Sequence, residues 1–563
     1  MPAGYASGMP LRLAGRLEPA VGALRTALAD TALRRLIVAW FAVIAGKWAL
    51  LVTTLVIAYE QGGPVAVGAL GVVRYLTPAV VAPFAGVPAA RWSALAALRA
   101  TNIARTVAAV AVAVVVATDA PFIALALVVG LEAGFGAFTR PLHMGLLPAC
   151  ARTPEQLVAA NVTSSAAEGL GTFVGPAAAS LLLIWTGPIG ALVAVGVLYA
   201  GGVLVLARAH IPVVGRRGRR AGPGDVLDEI LAGVRAVVSL PGPRFVVIGL
   251  ALQTFVRGVL TVLTVVAAIE LLGMGEPGVG TLNAAMGLGG LVGAGASIAL
   301  AGRTRLGPAF IVALAGWGAP IAFIGLVVHP TIALVAMLAV GVSNSLLDVA
   351  GFTIVQRTTP NAARVAVLGL LDGIANLGPA IGGLVAPLLI ASAGVPGALV
   401  LTGALLPLTA AVLGLATRHL DEGGPAAARR VELLRGQPLF APLSLATVEH
   451  LAASLVPVRF DTGAWLIREG DVGEDYFLID DGAVEITQGD RLLTTGGAGL
   501  GVGEIALIND VPRTASVRAT AQVAAFRMDR GAFLEAVTGH VQSDAAARSI
   551  VAERLAADRV RGA

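Results

Sequence analysis

The chain has 563 residues, of which 57% are hydrophobic and only 13% are charged, and its formal net charge is +5. Soluble globular proteins usually contain about a quarter of charged residues, so this composition excludes an ordinary soluble protein and indicates an integral membrane protein. Cys150 is the only cysteine, which excludes an internal disulfide and a cysteine-based metal cluster.

The amino-terminal segment differs from a signal peptide. Residues 1–35 contain five arginines and no uninterrupted apolar core followed by a small-residue cleavage site. Both features are needed for a cleaved secretory signal. We therefore predict a cytosolic amino-terminal arm over residues 1–35.

A series of apolar segments follows, each close to the length of about 20 residues that a helix needs to cross a bilayer. The twelve predicted spans cover residues 36–59, 65–90, 97–118, 121–138, 161–184, 190–207, 245–272, 281–301, 308–328, 331–355, 365–393 and 396–417. Arginines occur in every second connecting loop, and the loops between them contain no Lys or Arg. Because positive residues stay on the cytoplasmic side, this alternation predicts a multi-pass protein of the cell inner membrane with both termini in the cytoplasm.

The spans form two groups of six. Residues 36–207 and 245–417 form the two halves, and a polar, basic cytoplasmic loop over residues 208–244 separates them. Span 5 reads EGLGTFVGPAAA (168–179) and span 11 reads DGIANLGPAIGG (372–383), so each places an acid, then Gly, then Gly-Pro, with spacing that differs by one residue. An internal duplication around a central loop is typical of secondary transporters.

Ionisable side chains inside the predicted spans are costly and usually face a bundle interior or a cavity. They are Lys47, Arg74, Arg105, Glu132, Glu168, Arg257, Asp348 and Asp372. Lys47, Glu132 and Asp348 fall well inside their spans, and we expect them to line a central transport cavity. Arg74 and Arg105 are expected near span ends, with a structural role. The alternative for each residue is that it pairs with another charge or reaches the membrane interface.

The two acids are candidates for a coupling proton. Glu132 or Asp348 would bind and release it during transport. Unchanged proton-coupled transport after Glu132→Gln or Asp348→Asn would remove that role.

Two stretches resemble the major facilitator superfamily, and its drug- or siderophore-efflux members in particular. AVGALGVVRYLTPAVVAPFAGVPAAR (66–91) is similar to the second span of that family, and GAFTRPLHMGLLPACARTPEQLVAANVTSSAAEGLGTFVGPA (136–177) to spans 4 and 5. The resemblance covers residues 35–417 and implies a mostly α membrane protein with a 12-helix bundle in two six-helix halves. The Gly-x-x-x-Asp-Arg pattern of the family appears here from Gly86 to Arg91 with Ala90 in place of the acid, which puts the usual gating salt bridge in doubt.

The composition changes after span 12. Residues 418–429 are interpreted as a linker, residues 430–545 have a soluble composition, and residues 430–563 are assigned to a separate carboxy-terminal domain. Two helical stretches (431–440 and 444–455) precede six short alternating segments, WLIRE, YFLID, AVEIT, RLLTT, SVRAT and AAFRM. Short strands separated by turn residues predict a small β-barrel or jelly-roll domain with flanking helices, the last of them over residues 531–558.

The stretch GVGEIALINDVPRTASVRA (501–519) combines groups that suit a sugar phosphate. GEIAL can start a short helix whose free amides and positive dipole end would face an anion. Arg513 can pair with phosphate oxygens in a bidentate manner. Glu504 can accept hydrogen bonds from a ribose hydroxyl.

This stretch resembles the phosphate-binding cassette of the cyclic nucleotide-binding domain family. LLRGQPLFAPLSLATVEHLA and FDTGAWLIREGDVGEDYFLIDDGAVEI extend the resemblance, and Val502 replaces the commoner Phe. The resemblance implies that Glu504 binds the ribose 2′-hydroxyl and Arg513 the cyclic phosphate. Thr514 leaves cGMP open alongside cAMP. The other implied contacts are Gly503, Ile505, Ala506 and Ala515.

The sequence therefore predicts a secondary active membrane transporter, of the small-molecule efflux kind, regulated by cyclic nucleotide bound to a cytosolic carboxy-terminal domain. The alternative is a membrane-anchored cyclic nucleotide receptor whose transporter part no longer transports. A cyclic nucleotide-gated channel would need fewer spans and either an arginine-repeat voltage sensor or a pore loop, and span 4 has no such repeat.

Enzyme activity is not expected. The six histidines are scattered without metal-ligand spacing, and the sequence contains no nucleophile elbow. We expect no metal and no cofactor apart from the regulatory ligand, cAMP or cGMP. The expected partners are cyclic nucleotide, the lipid bilayer, an unknown small-molecule substrate and a coupling proton, with no nucleic acid.

Overall fold

The computed structural model describes residues 29–81, 93–151, 154–209, 223–297, 306–359, 361–421, 424–441, 443 and 445–538. The chain divides into two compact units, one reaching Gly414 and the other beginning at Leu415. Most of the predicted amino-terminal arm, the segment from Gly86 to Arg91 and most of the predicted helical segment 531–558 lie outside the described residues.

Helices make up the first unit. They are α1 Thr31–Val81, α2 Ala94–Ala117, α3 Phe122–Cys150, α4 Pro154–Ala207, α5 Pro223–Ser239, α6 Pro241–Val266, α7 Gly275–Ser297, α8 Gly307–Leu326, α9 Pro330–Thr358 and α10 Asn361–Asp421. A π-helical turn, Ala267–Leu271, continues α6. Within the described ranges, nine helices are long and apolar enough to cross a membrane. The prediction of a mostly helical membrane protein is confirmed.

Three of these long helices are interrupted. The backbone leaves the helical conformation at Gly62 and Gly63 in α1, at Gly187 in α4 and at Gly394 in α10. These positions lie in the gaps between predicted spans 1 and 2, 5 and 6, and 11 and 12. The count of twelve spans stays a prediction. If each of these long helices contains two spans, the chain must turn at its interruption.

The interruptions share a local sequence signal. Each has a glycine with positive φ, followed by proline one or two residues later: Gly63–Pro64, Gly187–Pro188 and Gly394–Pro396. Glycine adopts the left-handed conformation that ends one helix, and proline is tolerated in the first turn of the next.

Small residues bring the helices of this unit close together. A Cβ on Gly175 of α4 would lie 2.4 Å from the carbonyl oxygen of Ala45 in α1. A Cβ on Gly280 of α7 would lie 2.7 Å from the carbonyl oxygen of Pro176 in α4. Close backbone approach of this kind is typical of helix packing in membranes, so glycine lets α4 contact both α1 and α7.

The second unit is a β-sandwich with flanking helices. Its elements are α11 Gly424–Arg435, α12 Leu445–Ser454, β1 Val456–Phe460, β2 Trp465–Ile467, β3 Asp475–Asp481, β4 Ala483–Gln488, β5 Arg491–Gly497, β6 Gly501–Val502, α13 Glu504–Asn509, β7 Ser516–Ala519, β8 Val523–Asp529 and α14 Arg530–Thr538. Two four-stranded antiparallel sheets have the orders β1-β8-β3-β6 and β2-β7-β4-β5. The predicted jelly-roll domain is confirmed, and the six predicted strands correspond to β2, β3, β4, β5, β7 and β8.

Two apolar clusters hold this unit together. One lies inside the sandwich and contains Ile467, Ile479 and Val517, from strands of both sheets. The other lies between the first sheet and the helices, where Tyr476 of β3 stacks on Phe533 of α14 with ring centroids 5.0 Å apart. The second unit therefore has hydrophobic cores of its own.

Candidate functional site

A cavity of about 290 Å³ lies in the second unit, close to the lower end of the size of small-molecule pockets, roughly 300–1,000 Å³. Helix α13 and the segment before β7 form its polar wall. All seven residues predicted from the sequence line this cavity: Gly503, Glu504, Ile505, Ala506, Arg513, Thr514 and Ala515. The fold therefore brings residues 503–506 together with residues 513–515, and their binding of nucleotide stays a prediction.

Arg513 is the cation of the cavity. Its side chain is only 7% exposed, and it donates hydrogen bonds from Nη1 to the carbonyl oxygen of Gly503 at 2.9 Å and from Nη2 to that of Asp475 at 2.6 Å. Burial lowers the pKa of the guanidinium from its ordinary value, while the carboxylates of Asp475, Glu504 and Asp471 raise it. Because arginine remains charged in proteins, it is a fixed positive charge on the cavity wall.

Two glycines let the backbone approach this guanidinium. Gly503 has a φ of 100°, and a Cβ there would lie 2.6 Å from Nη1 of Arg513. A Cβ on Gly473 would lie 3.1 Å from both Cζ and Nε of Arg513. The sequence analysis did not identify Gly473, since its contact with Arg513 spans the turn before β3 and carries no local signal.

Glu504 supplies the opposite charge. It is the first residue of α13 and is 1% exposed. A carboxylate in the first turn of a helix interacts favourably with the helix dipole. Its charge also acts on Arg513. The site therefore combines a cation with an anionic hydrogen-bond acceptor, which suits an anion that carries hydroxyl groups.

The rest of the wall is apolar apart from Thr494 and comes from both sheets. The residues that the sequence analysis missed are Ile467, Ile486, Leu493, Thr494, Leu500, Val502 and Val517. Most of them continue the apolar alternation of their strands, which is the only sequence signal for them. This surface suits a flat ring with little charge.

In the first unit, Glu132 lies in a buried ion pair. Nη2 of Arg105 lies 2.6 Å from Oε1 of Glu132, and the two side chains are 3% and 1% exposed. The hydroxyl of Tyr199 donates to the same oxygen at 3.0 Å and accepts from Nη2 of Arg105 at 2.8 Å. Arg105 lies in the middle of α2, which corrects the expectation that it lies near a span end. Glu132 is closed off by its partners, and its part in a transport cavity stays a prediction.

Asp348 belongs to a second polar cluster. Nδ2 of Asn344 donates to Oδ2 of Asp348 at 3.0 Å, and Oδ1 of Asn344 accepts from Nε1 of Trp317 at 3.1 Å and from Arg257. Arg257 also acts electrostatically on Asp348. Asp348 is partly buried in α9, and its place in a cavity stays a prediction.

Lys47 has a different environment from both acids. Its side chain is exposed, and Nη2 of Arg74 donates to its carbonyl oxygen at 3.0 Å. Arg74 is 7% exposed. Among the described residues, no hydrogen bond or salt bridge joins Lys47, Glu132 and Asp348 to one another.

Comparison with protein families matches both units. A family model described as Major Facilitator Superfamily matches residues 36–370, and one described as Cyclic nucleotide-binding domain matches residues 457–540. The cGMP-dependent protein kinase of Plasmodium berghei (strain Anka) is 39% identical over 82 residues, which are 14% of this chain and 10% of the kinase. The chain thus spans about a tenth of the length of that relative, within the cyclic nucleotide-binding part alone.

Three solved structures are similar to part of the chain. cAMP-bound PfPKA-R (141–441) is 28% identical, with 19% of this chain and 40% of that chain covered and a TM-score of 0.19. The sensor domain of the transcriptional regulator DNR from Pseudomonas aeruginosa is 25% identical, with coverages of 24% and 93% and a TM-score of 0.22. The regulatory domain of Toxoplasma gondii PKA with cAMP is 19% identical, with coverages of 24% and 52% and a TM-score of 0.21.

Proposed function

The chain belongs to the major facilitator superfamily and carries a cyclic nucleotide-binding domain, and from this premise we propose that it is a secondary active transporter, of the small-molecule efflux kind, regulated by cAMP or cGMP. The observation that carries the regulatory part is the cavity in which Arg513 and Glu504 meet. The membrane-spanning unit supplies the transport, and the second unit senses the nucleotide.

The chemistry of the cavity supports a cyclic nucleotide as ligand. The guanidinium of Arg513 would neutralise the cyclic phosphate, and the carboxylate of Glu504 would accept a hydrogen bond from the ribose 2′-hydroxyl. The apolar wall formed by residues such as Ile486 and Val517 would cover the base. The similar Plasmodium kinase is named cGMP-dependent, which supports keeping cGMP beside cAMP as the ligand.

The arginine alternation of the loops supports a location in the inner membrane with both termini in the cytoplasm. Cyclic nucleotides are then sensed on the same side as the basic loops. A ligand shifts a conformational equilibrium only through its different affinities for the two states. We therefore expect the nucleotide to bind one conformation of the transporter more tightly than the other.

Regulation predicts a transport rate that depends on nucleotide. In proteoliposomes containing the full-length protein, saturating cAMP or cGMP will change the initial efflux rate of a fluorescent test substrate by about fivefold or more, since allosteric coupling is typically about 1–3 kcal/mol. Arg513→Ala will transport at one rate with and without nucleotide, and Arg518→Ala, whose exposed side chain lies outside the cavity, will still respond.

Equal wild-type rates with and without nucleotide would contradict regulation. Nucleotide binding without transport of any test compound would favour the membrane-anchored receptor.

Replacing Gly503 tests whether displacement of Arg513 weakens ligand binding beyond the effect of backbone strain. Gly503→Ala introduces strain of about 1–2 kcal/mol at a positive φ and also pushes against Arg513. Gly489→Ala is the matched control, because Gly489 has a φ of +55° and nothing within 4 Å of the added Cβ. In calorimetry with cAMP we expect affinity to fall by about tenfold, equivalent to roughly 1.4 kcal/mol, for Gly503→Ala only. An equal fall in both variants would show that backbone strain, and not displacement of Arg513, controls affinity.

A further inference from the structure

The first part of α1 is packed on all sides except at one position. Within residues 42–58, all residues are buried apart from Lys47, which is exposed, and Trp48, which is partly buried. Outward-facing helices of this unit present runs of exposed apolar side chains, such as Val107 and Val114 of α2. Residues 42–58 have no such run, so this part of α1 is surrounded by protein, and we infer that Lys47 faces a space inside the unit and not the lipid.

Charges from four helices surround this space. Lys47 interacts electrostatically with Arg74 in α1, Arg105 in α2, Glu132 in α3 and Glu168 in α4. Both carboxylates already have an arginine of their own. Arg105 pairs with Glu132 at 2.6 Å, and Nη1 of Arg140 lies 3.0 Å from Oε1 of Glu168.

Among the described residues, Lys47 and Arg74 form no salt bridge with a carboxylate, although the charge of Glu132 acts on both. The ammonium group of Lys47 has no hydrogen bond or salt bridge among the described residues. Arg74 donates one hydrogen bond to a backbone carbonyl, and its Nη1 is buried with no hydrogen-bond partner in the part of the chain that the structure describes. The acids of the second half, Asp348 and Asp372, interact with Arg140 and are not among the charges that act on Lys47.

The second half places a cation at the corresponding position of its first helix, where it lies beside Asn344 and Asp348. Lys47 is the sixteenth residue after Thr31, where α1 begins, and Arg257 is the sixteenth residue after Pro241, where α6 begins. Nε of Arg257 is also buried and has no hydrogen-bond partner within the described ranges. The first helix of each half thus places a cation with unused donor capacity at the same distance from its start.

We propose that the transported compound is an organic anion whose carboxylate or phosphate group binds Lys47 and Arg74. A charge in the membrane interior is costly when no opposite charge is paired with it, so a site that keeps two such cations is stabilised by a bound anion. This inference rests on the proposed transport function and specifies its substrate class.

Matched probes test the charge requirement. The full-length protein in nanodiscs, in the Arg513→Ala background so that the second-unit cavity does not contribute, is heated with naphthoate, naphthyl phosphate, naphthamide or naphthylmethylamine. Naphthoate or naphthyl phosphate will raise Tm, and the stronger of the two identifies the oxyanion; the amide and the amine will not. An equal shift with the amine, or no shift with either acid, would overturn the inference.

Variants of Lys47 test whether the acidic probes raise Tm by binding at Lys47. Lys47→Met will weaken binding of the stabilising acid by about tenfold to a hundredfold, the value of a hydrogen bond to a charged group, and Lys47→Arg will retain binding. Without probe, Lys47→Met will raise Tm, because it removes an uncompensated charge. Unchanged affinity in Lys47→Met, or a lower Tm without probe, would overturn the inference.

Transport assays separate this inference from the proposed function. Binding of the acids without flux in proteoliposomes would support the anion site and contradict transport. Flux of a cationic dye without binding of either acid would support transport and contradict the anion site.

Discussion

Replacing Arg513 by alanine will weaken cyclic nucleotide binding by the full-length protein by at least about a hundredfold. Each hydrogen bond between charged groups contributes about 1.5–3 kcal/mol, and Arg513 has the fork geometry to make two of them with a phosphate. Calorimetry of the detergent-purified chain with cAMP and with cGMP measures the loss. The comparison of the two ligands also identifies which nucleotide the wild-type cavity prefers.

Two other arginine variants make this result specific. Arg513→Lys keeps the charge without the fork, and we expect an intermediate affinity. Arg518→Ala removes an exposed arginine of β7 that donates to the carbonyl oxygen of Gly463 at 2.9 Å, outside the cavity, and we expect wild-type affinity. Binding of either nucleotide by Arg513→Ala with wild-type affinity would show that the ligand site is elsewhere.

Removing Glu132 will destabilise the first unit by about 3–5 kcal/mol, because Glu132→Ala leaves Arg105 charged and buried without its carboxylate. The same change adds a further uncompensated cation beside Lys47 and Arg74. Thermal unfolding of the protein in nanodiscs will show this as a large fall in Tm. Replacing both members of the pair by methionine will recover much of the stability, since no charge is then left unpaired.

The exposed ion pair of the same half is the matched control. In the Arg140–Glu168 pair the side chains are 66% and 29% exposed, and Arg140→Ala will cost only about 0–1 kcal/mol. Equal falls in Tm for Glu132→Ala and Arg140→Ala would contradict the buried role of Glu132. Recovery in the double methionine variant is the further check, because a purely catalytic or transport role would not predict it.

Periodicity and turn chemistry account for the parts of the fold that the sequence predicts. Six strands of the second unit have an apolar alternation that is visible in the sequence, and the structure contains all of them. β1, Val456–Phe460, was not predicted: its apolar residues alternate, but Pro457 cannot donate a backbone hydrogen bond and argues against a strand. β6, Gly501–Val502, has only two residues, too few to show any period.

The functional residues also fall into those that the sequence indicates and those that only the fold brings together. Residues 503–506 and 513–515 lie within the single stretch 501–519, which combines an acid, an arginine and small residues, so the sequence indicates them directly. Gly473 approaches Arg513 from the turn before β3, and the apolar wall comes from other strands, so nothing local in the sequence marks these contacts. The pairing of Arg105 with Glu132 joins helices whose residues are 27 positions apart, so it depends on packing that hydropathy does not describe.

The carbonyl oxygens of Gly503 and Asp475, which accept hydrogen bonds from Arg513, affect how tightly a nucleotide binds. A free arginine side chain has about 2 kcal/mol of rotamer entropy, which it loses when it is fixed. Here the folding of the domain has already immobilised the side chain, so the nucleotide does not bear that loss when it binds. Substitutions that loosen the backbone at Gly473 or Asp475 will therefore reduce affinity by making Arg513 more mobile, without removing any group that contacts the nucleotide.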